Sequence, residues 1–376
     1  MKPANIHIDK ICITAQWTHT PTGKPHYFDE DGLGVIPSGS ATANQKALKD
    51  GGEQAYIKSK GIDDYGVAHQ IEIRCCPPLV LQKHNLFGHC VLQDYVFAIL
   101  ELAAARLGLP VSATQRAEWE SGDVSITEIH LTANFGCPES AVVPIINAMD
   151  AAYTQGKWRS EETSITVHMA KKRRSKNHAL TVYSKALQLI SMFRTANGGK
   201  RPGKYQTMLI DEAYKGIRAE VKLYSAGLKD LGLGVVRNWA QENVTELYFS
   251  VLNKYKVALC IQPLLTDDEL EVLSNAERKL YTLWLSGATL KDHYCRGSLW
   301  KYAKSIGDKV NMNIRGGLPE KLPPVDTGEI FVPENVLPVP EWAIGTEYYS
   351  PPARVETTKR DWGISKKAVP DYELED

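Results

Sequence analysis

No stretch of this 376-residue chain approaches the ~20 consecutive apolar residues that a membrane-spanning helix needs. The opening "MKPANIHIDKICITAQ" holds no uninterrupted apolar run, so it does not read as a secretory signal, and the expected location is a cytoplasm. The seven cysteines, at 12, 75, 76, 90, 137, 260 and 295, contain no CxxC spacing, which leaves neither a zinc ribbon nor a disulfide scaffold supported. Cys75 and Cys76 would point to opposite faces of a strand and are not read as a pair. No internal repeat is visible. Net charge is also missing, with 44 basic and 44 acidic residues. The balance is uneven, however: residues 318–376 hold 12 acidic against 6 basic groups, which leaves 38 basic against 32 acidic in residues 1–317. A mildly basic body is compatible with a nucleic-acid partner without establishing one.

What is present is a soluble, core-forming composition, 43% hydrophobic. At roughly 100–200 residues per domain the length allows two domains, or one large one with an appendage. Residues 5–15, 68–76, 124–135, 163–170, 178–185 and 216–224 alternate and are expected as strands, with "LVLQ" (79–82) a further short strand after the Pro77-Pro78 break. Residues 18–52, rich in Gly, Ser, Thr, Asp and Pro, are expected as a long loop. Residues 91–109 and 138–153 carry helical periodicity, and a short helix ends near Gly232. From about 237 the pattern turns helical. Residues 275–287 and 296–307 form two helices closed by Gly287 and Gly307, the second with Ser298 as N-cap. Helix, connection and short helix resemble a helix-turn-helix whose second member exposes Arg296, Lys301 and Lys304 and buries Leu299, Tyr302 and Ile306. An ordinary helix pair with a basic face fits that local pattern as well. The acidic end holds 9 of the 20 prolines and reads as extended, with Trp342, Tyr348, Tyr349 and Trp362 able to clip it to the body. The expected fold is α+β: a central antiparallel sheet with flanking helices over residues 1–235, a smaller helical unit over 236–317, and a Pro-rich acidic tail over 318–376.

Several strands place polar groups among apolar ones: Glu72, His130, His168, Tyr183 with Lys185, and Glu220. Arg218, Glu220 and Lys222 share one face of their strand, and Tyr183 and Lys185 share a face of theirs. Such groups form either a site or the sheet's solvent face. If a site, histidine and carboxylate donors suit a divalent cation, Mg²⁺ or Mn²⁺ more than structural zinc. A tyrosine hydroxyl, ordinary pKa ~10, is a weak nucleophile that a nearby ammonium and a metal would activate, a set suited to phosphodiester transesterification. The basic run "KKRRSK" (171–176) between the hairpin strands is either a solvated tip or a polyanion contact.

Five ordered blocks bear a family resemblance. "IEIRCCPPLVLQKHNLFG" (71–88), "ITEIHLTANF" (126–135), "ALTVYSKALQL" (179–189), "GIRAEVKLYSAGLKDLGL" (216–233) and "RGSLWKYAKSIG" (296–307) resemble, in order and approximate spacing, segments of the filamentous-phage gene II proteins. That family comprises rolling-circle replication initiators that nick one strand of a double-stranded origin, leave a 3′-OH for the host polymerase, and rejoin the displaced strand. The resemblance implies Tyr183 as nucleophile, Lys185 as its aid, and a cation held by His130 and Glu220 with His168 or Glu72. DNA contacts are expected from Lys171, Lys172, Arg173, Arg174, His84, Asn85 and Arg218, together with Arg296, Lys301 and Lys304. The implied partners are phage or plasmid origin DNA, its displaced strand, and a host helicase and polymerase in a bacterial cytoplasm. Three positions depart from the family pattern: His130 stands at an Asp position, Glu128 at the Arg two residues before it, and Lys83 at the Gly of the loop. Competing expectations are a DNA-binding regulator without catalysis, and a metal-dependent endonuclease in which water attacks.

Overall fold

The computed structural model describes residues 5–21, 26–27, 35–36, 55–153, 156–168, 177–257, 265, 267–285, 289–310, 312, 314 and 327–349. In chain order they form β1 (His7–His19), β2 (His26–Tyr27), β3 (Val35–Ile36), β4 (Tyr56–Ile62), β5 (Ala68–Cys75), α1 (Pro77–Gln82), α2 (Leu92–Leu107), α3 (Ala113–Glu120) and β6 (Ser125–Gly136). There follow α4 (Val142–Ala152), β7 (Lys157–Glu161), β8 (Ser164–His168), β9 (His178–Tyr183), α5 (Lys185–Ala196), α6 (Lys204–Ala213), β10 (Gly216–Tyr224) and α7 (Ser225–Asp230). The remainder is helical: α8 (Val244–Lys254), α9 (Asp267–Val272), α10 (Asn275–Leu285), α11 (Leu290–His293), α12 (Arg296–Val310) and α13 (Thr327–Ile330).

Eight strands form one sheet in the order β4-β5-β1-β6-β10-β9-β8-β7, every pairing antiparallel, while β2 and β3 make a separate ribbon. The fold is therefore α+β, as the alternation implied. One sheet face is apolar: Ile8, Ile11, Ile71, Ile129, Leu131, Ile217, Val221 and Leu180 share a core with Val96 and Ile99 of α2, Ile145 and Met149 of α4, and Leu247 and Val251 of α8. Each such side chain contributes about 1.5–3 kcal/mol on full burial. The opposite face carries Arg218, Glu220 and Lys222 of β10, against Asn134, Thr132 and His130 of β6. A smaller core of Leu86, Phe87, Ala186, Leu189, Phe193, Leu209 and Ile210 joins α5, α6 and the loop after α1. Among the described residues no helix is long and apolar enough to cross a membrane.

Four local expectations are corrected. Residues 79–82 belong to a helix, because Pro77 and Pro78 occupy its first turn. A fixed φ suits that position, and the N–H groups proline lacks would have no partner there anyway. Lys83 ends this helix at φ 65, the left-handed region, so the lysine at the family's glycine position keeps the backbone geometry a glycine would take. The strand through Tyr183 stops there: Lys185 opens α5, whose buried Ala186, Leu189 and Phe193 recur at helical spacing. Helix α12 begins at Arg296, so Ser298 lies inside it, and it continues through Gly307 to Val310. Of its predicted faces, the basic one holds, with Arg296, Lys301 and Lys304 exposed, while on the other Ile306 is buried and Leu299 and Tyr302 are half-buried.

Within the Pro-rich segment, residues 327–349 pack on the body. The Leu337 N–H donates to the Asn134 carbonyl (2.8 Å), Phe331 and Val336 join the main core, and Trp342 and Tyr349 meet Phe87 edge-on. Trp362 lies outside the described residues.

Candidate active site on the polar sheet face

The site begins with an irregularity in β1. Ile8 opposes Leu131 and Lys10 opposes His130, so Asp9 is the extra residue of a β-bulge. A bulge shifts alternation by one place. It puts His7, Asp9 and Lys10 on the polar side while Ile8 and Ile11 stay in the core. The sequence carries the mark as two successive polar residues in "HIDKI". Asp9 is buried, and it is the functional candidate that sequence reasoning missed.

Among the described residues, Asp9, His130 and Glu220 each offer a donor atom, and these atoms lie within 4.8 Å of one another. His130 Nδ1 is 2.6 Å from Glu220 Oε1, and His130 Nε2 is 2.8 Å from Glu128 Oε1. Lys222 Nζ lies 3.4 Å from Glu220 Oε1. Burial works against the Glu220 carboxylate, but Lys222, His130 and Arg218 outweigh it and hold its pKa well below the usual carboxylate range. Burial also works against charge on His130, yet Glu220 and Glu128 raise its pKa above the ordinary value. Two carboxylates and one imidazole, buried and converging, fit a divalent cation.

Tyr183 stands beside this cluster. Its strand position opposes Arg218, and its hydroxyl donates to Glu220 Oε2 at 3.4 Å. Burial pushes the phenol pKa well above 10.0, and the Arg218 charge opposes that rise. Arg218 is wholly buried, its Nε donating to Asn134 Oδ1 (3.0 Å) and its Nη2 to the Leu86 and Asn85 carbonyls. Its Nη1 has no hydrogen-bond partner among the described residues and lies 3.6 Å from Asp9 Oδ1. Asn85 couples the two halves of the site, donating from Nδ2 to Asp9 Oδ1 (2.6 Å) and accepting at Oδ1 from Lys185 Nζ (2.6 Å). Lys185 also reaches Gln188 Oε1 at 2.5 Å. Burial, then the Arg218 charge, lowers its pKa to about 7.

That lowered value has a measurable consequence. Between about pH 7 and the ordinary lysine value of 10.5, the unfolded chain binds more protons at Lys185 than the native one. Stability contributed by this group therefore rises with pH across that window. The rise should be absent in Lys185→Met, and urea unfolding between about pH 6.5 and 10 measures it.

The expected site residues separate into three groups. Tyr183, Lys185, His130 and Glu220 are brought together. Glu72 and His168 are not: Glu72 pairs with Lys60 at 2.7 Å on the far side of β1. His168 shares the polar face, but its row reaches His130 only through Ala179 and Lys222, three strands or roughly 14 Å away. Among the expected DNA contacts, His84, Asn85 and Arg218 are buried and engaged with protein partners, His84 Nε2 with the Tyr348 carbonyl at 2.7 Å. They act as the internal frame of the site. Lys171, Lys172, Arg173 and Arg174 lie outside the described residues. Of the remaining three, Lys304 pairs with Asp308 at 2.7 Å, and Lys301 sits 5.9 Å from the Tyr302 ring.

A buried acid–histidine–acid cluster that could hold a metal ion thus lies beside a tyrosine hydroxyl on the polar face of an antiparallel sheet. Residues 40–242 match the N-terminal region of the phage replication-associated proteins of the gene II type, and the chain belongs to that family. It is similar to the replication-associated protein of this type from Enterobacteria phage I2-2, 23% identical over 255 residues, covering 66% of this chain and 71% of that one. No solved structure matches.

Proposed function

We propose that this protein starts and ends rolling-circle replication of filamentous-phage or plasmid DNA by nicking one origin strand and rejoining it through Tyr183. The carrying observation is the packing of Tyr183 against Glu220 and Arg218, beside Asp9 and His130, all of them except Asp9 within the span of the family match. The Tyr183 oxygen attacks the scissile phosphorus, a 5′-phosphotyrosine bond forms and the P–O3′ bond breaks; the proton the phenol gives up is matched by one that the leaving 3′ oxygen takes up to become a 3′-OH. Glu220 accepts the phenol's hydrogen bond before attack, and the Arg218 charge stabilises the tyrosine oxygen as it loses its proton. Lys185 works through Asn85, which it holds against Asp9. Asp9, His130 and Glu220 would hold a divalent cation, Mg²⁺ or Mn²⁺, which supplies Lewis acidity at a phosphoryl oxygen. One phosphodiester is exchanged for another, so rejoining needs no ATP.

Tyr183 is only 9% exposed, so a scissile strand has to enter unpaired, and supercoiled origin plasmid should be nicked in preference to relaxed plasmid. EDTA should abolish nicking. The same burial favours a second reading, in which water attacks and Tyr183 is structural. A covalent 5′ adduct trapped on labelled single-stranded origin DNA decides between the two, since water attack leaves none.

We assign duplex contacts to the basic face of α12 and to the 171–176 run. Arg296, Lys301 and Lys304 replaced together by Ala should weaken binding to all sequences alike. The slope of log K against log salt should then fall by roughly 0.9 for each phosphate that is no longer neutralised. Weakening confined to the origin sequence, in filter-binding titrations, would argue for base reading instead. Neutralising Arg173 and Arg174 should act in the same uniform way. A host helicase then opens the duplex and a host polymerase extends the 3′-OH, in the cytoplasm of a bacterial host.

A further inference from the structure

We infer that Glu128 is a positioning residue that turns His130 into a nitrogen ligand, and that this pair makes the cation site select Mn²⁺ over Mg²⁺. The inference rests on the reading that Asp9, His130 and Glu220 hold a divalent cation.

The His130 ring is gripped at both nitrogens, and its two grips differ in kind. Nδ1 faces Glu220 Oε1 at 2.6 Å, inside the three-donor cluster. Nε2 faces Glu128 Oε1 at 2.8 Å, and Glu128 is not part of that cluster. Glu128 is held from behind, with Arg74 Nη2 3.3 Å from Oε2. The two residues sit two apart on β6 and oppose Tyr224 and Lys222 of β10, so they share the polar face. Arg74, Glu128 and His130 thus form a line ending at the cluster.

A metal-binding imidazole presents one bare nitrogen to the ion and donates its other N–H outward, commonly to a carboxylate that sets the ring's orientation. Glu128 occupies that outer place, leaving Nδ1 for the ion and Nε2–H for the Glu128 carboxylate. An all-oxygen set suits Mg²⁺, which demands near-octahedral geometry and gives up water reluctantly. An imidazole in the set favours a later divalent ion, and two carboxylates beside it keep the site within the range of Mn²⁺. The preference therefore lies in the orientation of one ring, and the residue that sets it touches neither ion nor DNA.

The test uses the full chain loaded with Mn²⁺ or Mg²⁺ alone, without DNA. Wild-type protein with ¹⁵N-labelled histidine should show one histidine nitrogen coupling in pulsed Mn²⁺ EPR. His130→Asn, whose Oδ1 can stand near the place of Nδ1, should bind Mn²⁺ without that coupling. Its Mn²⁺-over-Mg²⁺ preference should drop by about tenfold or more. Glu128→Ala should weaken Mn²⁺ binding by about 10–100-fold. Glu128→Gln keeps an acceptor for Nε2–H, so it should retain the coupling and lie between the two in affinity. It also serves in place of Glu128→Ala if that variant fails to melt cooperatively in EDTA. Mn²⁺ bound to wild type without a histidine coupling overturns this inference and leaves the cation site standing. Failure of wild type to bind either ion overturns both. Unchanged Mn²⁺ affinity and coupling in folded Glu128→Ala overturns the positioning role.

Discussion

Tyr183→Phe is expected to abolish the covalent protein–DNA adduct and to lower origin nicking by about 10³-fold or more, the scale on which loss of a nucleophile acts. The substitution removes one oxygen and keeps the ring. That oxygen's hydrogen bond to Glu220 is a long one, 3.4 Å, so the native state loses little. A net hydrogen bond contributes about 1 kcal/mol, and thermal unfolding of Tyr183→Phe should stay within that range of wild type. The pairing of intact stability with lost adduct is what distinguishes a nucleophile from a packing residue. Normal nicking by Tyr183→Phe would overturn the mechanism. Nicking without an adduct in wild type would move the protein to the water-attack class.

Asp9→Asn is expected to give the largest loss of cation affinity for the smallest change in shape. Asn keeps an oxygen to accept from Asn85 Nδ2, so the link between β1 and the loop before α2 can persist. What disappears is one of two carboxylate charges in the three-donor cluster. A loss of about 100-fold or more in Mn²⁺ affinity follows, since outer partners alone are worth 10–100-fold. Glu220→Gln is a poorer probe, because Glu220 also neutralises His130 and Lys222. Breaking a buried ion pair costs about 3–5 kcal/mol in its own right. Titration of Asp9→Asn with Mn²⁺, followed by EPR, reads the effect directly. Wild-type affinity in this variant would remove Asp9 from the site.

The two departures from the family's Arg-x-Asp strand are joined in the structure. Glu128 and His130 meet at 2.8 Å, so neither needs to be explained as loss of an active site. That removes one ground for the competing expectation of a regulator without catalysis.

Much of the sheet was legible because side chains alternate with a period of two. "IRAEVKL" sorts itself into Arg218, Glu220 and Lys222 against Ile217, Ala219, Val221 and Leu223 before any partner strand is known. Tyr183, His130 and Glu220 could be nominated for the same reason, and the ordered blocks added their expected roles. Less legible were the places where the chain changes from one period to another. Lys185 lies two residues after Tyr183, and the strand pattern carried it to the same face. Instead a helix begins there, and Lys185 reaches the site from that helix through Asn85.

Periodicity is a property of neighbouring residues, so local sequence determined which side of each strand is polar. It could not determine which strands lie side by side. β1 lies between β5 and β6, its pairing with β6 spans more than a hundred residues of sequence, and only that pairing, with its bulge, carries Asp9 to His130 and Glu220. The buried positions of Arg218, Asn85 and His84 were likewise decided by tertiary packing. Residues 327–349 and the loop after α1 close over groups that their own strands and turns would have left to solvent.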